Sequence, residues 1–135
     1  MRLVDTNVFV RYLTKDDPRK AKASLNLLQK AKTGKVELYT TESAISEVVY
    51  VLESDRLYNL GKEEIVNMLL PILNIGKLKI VYKTSIIVAL KIYEQSLLDF
   101  EDALLVAHAF RLNAKEIYTY DKGFDKIQGI KRLEP

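Results

Sequence analysis

Short apolar runs alternate along the chain with longer stretches in which apolar residues recur every three or four positions. The short runs predict β-strands at 1–4, 36–39, 78–81, 116–120 and 129–133. The periodic stretches predict helices that begin near residues 6, 18, 41, 62, 85 and 100. This alternation favours a three-layer α/β/α fold with a mostly parallel central sheet of four to five strands.

The same spacing predicts which helical side chains face the core. In the helix that begins at Pro18, the predicted stripe is Ala21, Leu25, Leu28 and Ala31. In the last long helix it is Ala103, Leu104, Ala107 and Phe110.

Composition narrows the class of protein. A chain of 135 residues is long enough to bury its own core, so we expect a single domain over 1–135. The absence of cysteine excludes disulfide scaffolds, and the single histidine, His108, excludes a multi-histidine metal cage. No apolar run is long enough to span a membrane, and no signal peptide is evident, so we expect a cytoplasmic protein. The net charge of +3 is compatible with a nucleic-acid partner.

Acidic residues fall where an α/β sheet binds its ligands, outside the carboxyl ends of the strands. Asp5 follows the first predicted strand and Asp121 follows the fourth. Glu47 lies in the helix after the second strand, and Asp102 lies near a helix start, three residues after Asp99. Carboxylates that converge on one edge repel each other, so either a pKa rises or a cation binds.

An all-oxygen ligand set without histidine or cysteine suits Mg²⁺ or Mn²⁺, and a pair of such ions promotes phosphodiester hydrolysis. Thr6, Asn7 and Thr119 flank the acids and are candidates to orient the carboxylates through hydrogen bonds. Each acid also has a structural interpretation: a helix cap for Asp5, a cap with an acidic third position for Asp99 and Asp102, a turn for Asp121, and an exposed helix position for Glu47. The residues alone leave both interpretations open.

Four segments together resemble the PIN-domain nucleases, and among them the VapC-type toxins. They are VDTNVFVRYL with Asp5, SAISEVVYVL with Glu47, DFEDALLVAHA with Asp99 and Asp102, and IYTYDKGFDKI with Thr119 and Asp121. They occur in the family's order and cover nearly the whole chain. One departure is Gly123, which stands where the family often has a further aspartate, and Asp125 follows two residues later.

The resemblance implies an endoribonuclease that depends on Mg²⁺ or Mn²⁺. Its catalytic and metal-binding residues would be Asp5, Glu47, Asp102 and Asp121, with Asp99 as an accessory ligand. It further implies a homodimer and a VapB-like antitoxin partner. Arg11 and Lys122 are candidate contacts to RNA because they lie near the acids in sequence.

Other interpretations remain open at this point. A PIN nuclease of RNA processing, or a PIN module that binds RNA without cleaving it, would share the fold. A haloacid-dehalogenase-like phosphatase is disfavoured because Asn7 replaces the second aspartate that such a family needs. A receiver-like phosphoacceptor is disfavoured because no aspartate follows the third strand. His108 is expected to be structural, and the segment with Tyr50, Leu57 and Tyr58 is the candidate apolar surface for a partner.

Overall fold

Three short strands form a parallel sheet in the first part of the chain. The computed structural model describes residues 1–135, which divide into two compact units, 1–83 and 84–135. In the first unit β1 is Arg2–Leu3, β2 is Leu38–Thr40 and β3 is Leu78–Ile80, in the order β1-β2-β3. Leu38 of β2 lies opposite Arg2 on one side and Leu78 on the other.

Four helices accompany this sheet: α1 Thr6–Thr14, α2 Pro18–Lys32, α3 Glu42–Glu53 and α4 Lys62–Leu73. Their starts follow helix-capping chemistry, since Asp17 caps α2 by accepting the Lys20 amide at 3.1 Å, and Thr41 caps α3 by accepting the Ala44 amide at 3.0 Å. The core of the unit is apolar, and Phe9, Ile45 and Leu69 are fully buried in it. The ends of β1 and β2 are joined by a buried hydrogen bond of 2.8 Å from Thr40 Oγ1 to the Val4 carbonyl.

The second unit consists of α5, α6 and a second pair of parallel strands. α5 (Lys83–Gln95) begins at the boundary, and α6 (Phe100–Arg111), β4 (Glu116–Tyr118), a 3₁₀ helix (Lys122–Lys126) and β5 (Lys131–Leu133) follow. Buried apolar side chains from α6, β4, the 3₁₀ helix and the segments that precede α6 and β5 share one cluster: Leu98, Val106, Ala109, Ile117, Phe124 and Ile130. Phe124, which is 1% exposed, anchors the 3₁₀ helix in that cluster.

The predicted α/β class with parallel strands is confirmed. Five strands are present, but they belong to a three-stranded and a two-stranded sheet instead of the single sheet of four to five strands that was expected. The 3₁₀ helix was not predicted. None of the helices has the length and apolar character needed to cross a membrane.

Two predicted core positions are wrong. Leu25 is 37% exposed and Phe110 is 44% exposed, while Ser24 and Ala109 are buried instead. Both errors lie at the edge of an apolar stripe, where the neighbouring elements decide which side of the helix is covered. An average helical period does not contain that information.

Candidate acidic site

Asp5 lies where β1 turns into α1. Its backbone is extended, and its Oδ1 accepts the Thr6 amide at 2.8 Å, so Asp5 caps α1. The side chain is exposed. Because a carboxylate has about four acceptor positions on two oxygens, the capping bond uses one and leaves the others able to bind a cation.

Glu47 is tied to the start of α1 by Thr6. Thr6 is 4% exposed, and its Oγ1 lies 3.1 Å from Glu47 Oε2 and 3.4 Å from the Ala44 carbonyl oxygen. The hydroxyl has one proton to donate, and the shorter distance and the negative charge favour the carboxylate. Thr6, which follows Asp5 directly in sequence, therefore fixes the position of the Glu47 carboxylate at the start of α1.

Asp99 and Asp102 open α6 in the second unit. Asp99 is the cap, and its Oδ1 accepts the Asp102 amide at 2.8 Å. Asp102 is half-buried, and burial raises the pKa of its carboxyl group above the ordinary value. The charges of Asp99 and Asp121 raise this pKa further, which means that both residues are close enough to Asp102 to repel its carboxylate.

Asp121 is placed by the loop between β4 and the 3₁₀ helix. Its amide donates to Thr119 Oγ1 at 3.1 Å, and its Oδ1 accepts the Gly123 amide at 2.8 Å. A Cβ atom at Gly123 would lie 3.0 Å from that Oδ1 and 3.2 Å from Leu98 Cδ2. The glycine in place of the family's further aspartate thus lets Asp121 cap the turn without steric conflict.

Arg132 of β5 braces the same loop from the other strand. Its Nη1 donates to the Thr119 carbonyl at 3.2 Å and to Glu134 Oε1 at 2.7 Å, while Nε donates to Asp125 Oδ1 at 2.8 Å. The guanidinium thereby joins residues on both sides of Asp121 in sequence. Asp125 is engaged in this ion pair, and sequence reasoning did not single out Arg132 at all.

Arg11 and Lys122 have different surroundings. Arg11 Nη1 lies 3.1 Å from Asp16 Oδ1. Hydrogen bonds from Tyr58, Thr14 and Arg11 hold the pKa of Asp16 below its usual range, with Tyr58 contributing most. Lys122 is exposed at the start of the 3₁₀ helix.

The proposed partner surface and His108 can also be located. Tyr50 and Leu57 are 68% and 60% exposed, but Tyr58 is half-buried and its hydroxyl donates to Asp16. Tyr58 is therefore only partly available to a partner. His108 is half-buried on α6, and its Nδ1 accepts the Arg111 Nε–H at 3.1 Å, a local contact within the helix.

Neither unit by itself holds a group of three or more histidine, cysteine, aspartate or glutamate side chains arranged to bind a metal ion. Asp5 and Glu47 lie in the first unit, and Asp99, Asp102 and Asp121 lie in the second.

The model of the PIN domain matches residues 2–130, nearly the entire chain. The chain belongs to the PIN-domain family. This membership confirms the predicted α/β/α class of fold and the resemblance found in the four segments. The PIN chain is also 27% identical, over 135 residues, to a protein of Aquifex aeolicus (strain VF5) named VapC ribonuclease. The alignment covers 100% of this PIN chain and 97% of that relative.

Proposed function

We propose that this PIN-domain protein is a metal-dependent endoribonuclease, the toxin of a VapBC-type toxin–antitoxin pair. The observation that carries the proposal is the position of Asp102, which is half-buried near Asp99 and Asp121, so that burial and then the two neighbouring charges raise the pKa of its carboxyl group. A fold has no structural need for such repulsion, whereas a cation relieves it. The similarity to a VapC ribonuclease over the whole chain supports the choice of RNA as substrate.

The donor set fits Mg²⁺ or Mn²⁺, because every candidate ligand is a carboxylate oxygen. We assign metal binding to Asp5, Glu47, Asp102 and Asp121, with Asp99 as an accessory ligand. When bound, the metal would supply activation of water and neutralisation of charge on a phosphodiester. Thr6 orients Glu47, Thr119 orients the Asp121 loop, and Asn7, which follows Thr6 in the first turn of α1, is a further candidate to orient a ligand.

The other parts of the proposal follow from the same similarity. RNA is the substrate, a VapB-like protein is the inhibitory partner, and the active form is a homodimer. The protein acts in the cytoplasm, where its proposed substrate is found. Arg11 and Lys122, which lie near the acids in sequence, are the proposed contacts to RNA.

The test is cleavage of a mixed pool of structured RNA by the purified protein with Mn²⁺, with Mg²⁺ and with EDTA. Asp5→Asn protein purified in the same way is the control for contaminating ribonuclease. Cleavage that needs metal and disappears in Asp5→Asn is expected. Cleavage that persists in EDTA, or in Asp5→Asn at the wild-type rate, would contradict the assigned chemistry.

A further inference from the structure

The positive charge of the protein is concentrated in one segment. Residues 18–35 hold six of the 21 lysines and arginines and none of the 18 aspartates and glutamates. The rest of the chain therefore has 15 basic and 18 acidic residues and is net negative. All six basic side chains of this segment are exposed: Arg19, Lys20, Lys22, Lys30, Lys32 and Lys35.

The geometry of α2 orders part of this charge into a line. Arg19, Lys22, Asn26 and Lys30 are spaced by three, four and four residues, so they form one stripe along the helix, which we call the outer stripe. The buried side of α2 is formed by Ser24, Leu28 and Ala31. Arg19 and Lys30 are separated along the axis by about 16 Å at 1.5 Å per residue.

Helix stability does not account for the whole stripe. Lysines in the last turn, such as Lys30 and Lys32, are favoured by the helix dipole. Arg19 and Lys20 lie in the first turn, where the dipole disfavours cations and where α2 has no acidic residue. Asp17 lies 3.9 Å from Lys20 Nζ and offsets that one charge only partly.

Surface depressions continue the basic face on both sides. Lys30 and Lys35 line two of them, of about 520 and 510 Å³, together with Arg2 in one and Lys32 in the other. The single acid that lines them is Glu37, whose carboxylate lies 4.0 Å from Lys77 Nζ. A third depression of about 330 Å³ is lined by Asn7, Arg11 and Lys20, and it connects α2 to the start of α1 beside Asp5.

We propose that the outer stripe of α2 binds the phosphate backbone of RNA at nucleotides away from the phosphodiester bond that is cleaved. This inference rests on the proposed ribonuclease function, since it gives the substrate a second contact. A polyanion matches the outer stripe, which has three exposed cations, and the only carboxylates near it are those of Asp17 and Glu37. An acidic protein is the weaker candidate, because protein interfaces are anchored by aromatic or aliphatic side chains and the outer stripe has none.

The test compares two charge-matched variants in binding to a fluorescently labelled single-stranded RNA in metal-free buffer. The first carries Arg19→Gln, Lys22→Gln and Lys30→Gln, and glutamine keeps a good helix propensity. The control carries Arg56→Gln, Lys91→Gln and Lys115→Gln, which are exposed residues elsewhere. Thermal unfolding of both verifies that the variants fold.

We expect the outer-stripe variant to reduce the slope of log affinity against log salt concentration by about 2, from three lost phosphate contacts at about 0.7 each. Over a fourfold rise in salt, the wild-type affinity then falls about 20-fold more than that of the variant. The control variant should retain the wild-type slope. Equal losses in both variants would overturn the proposal, because only net charge would then matter.

Two further outcomes separate this inference from the proposed function. If the wild type binds RNA through the outer stripe but cleaves no RNA with Mg²⁺ or Mn²⁺, the nuclease assignment fails and the binding surface stands. If the protein cleaves RNA and the outer-stripe variant binds it like the control, the inference fails alone. Competition by polyglutamate as strong as that by unlabelled RNA would assign the face to an acidic protein and overturn the RNA assignment.

Discussion

Thr6→Val removes one buried hydroxyl and should both destabilise the protein and free the Glu47 side chain. A hydrogen bond to a charged group contributes about 1.5–3 kcal/mol. Glu47 is exposed, so water replaces the lost donor at its carboxylate, and the loss should lie at the lower end, about 1.5 kcal/mol. With an unfolding entropy of about 2.1 cal/mol/K per residue, this corresponds to a fall in Tm of about 5 °C.

Urea and thermal unfolding of Thr6→Val, Glu47→Ala and the double variant would measure the coupling between the two side chains. We expect a coupling free energy of about 1 kcal/mol, since the residues are in direct contact. RNA cleavage should fall in Thr6→Val and recover in Thr6→Ser, which keeps the donor. A coupling energy within about 0.3 kcal/mol of zero, with unchanged cleavage, would refute the view that Thr6 positions Glu47.

Three other substitutions probe the second unit. Since the folded protein raises the pKa of Asp102, its ionised form is penalised at neutral pH, and the penalty disappears as the pH falls below the ordinary range of aspartate. Asp102→Asn should therefore be more stable than wild type at pH 7 in urea unfolding, with a difference that shrinks in acid; a difference that grows in acid would reverse the sign of the argument. Arg132→Met should accelerate hydrogen exchange at the amides of Thr119 and Asp121, while Lys131→Met should not, and equal rates in the two variants would remove the bracing role. Gly123→Ala should lower the free energy of unfolding by about 1–3 kcal/mol and reduce cleavage, because the added Cβ would lie 3.0 Å from Asp121 Oδ1. Gly76→Ala is the control, since a Cβ there meets nothing within 4 Å. An equal loss of stability in Gly76→Ala would contradict the steric explanation.

Local signals explain why the helices were predicted well. α2 was expected to begin near residue 18 and begins at Pro18, because Asp17 is a good cap and Pro18 suits the first helical position; it ends at Lys32, before Thr33-Gly34. These signals are contained in the sequence close to each end of the helix. The strands were placed correctly but are shorter than predicted, since their ends depend on which neighbouring strand offers a partner.

The contacts around the acids could be predicted only in part. The motifs identified Asp5, Glu47, Asp99, Asp102 and Asp121 as candidates, and the proximity of Thr6 to Asp5 was visible in the sequence. The bond from Thr6 to Glu47 spans 41 residues, and the bond from Arg132 to the Thr119 carbonyl spans 13. Such partners are brought together by tertiary packing, so no local sequence pattern predicts them.

The capping interpretation and the metal interpretation of the acids need not exclude each other. Asp5, Asp99 and Asp121 each accept a backbone amide at 2.8 Å at the start of a helix. Such a bond fixes the rotamer of the carboxylate. Because the capping bonds already order these side chains, binding of a cation to their remaining oxygens would cost little further side-chain entropy. Asp102 accepts no such capping bond and is half-buried near Asp99 and Asp121, so burial and these two charges raise the pKa of its carboxyl group.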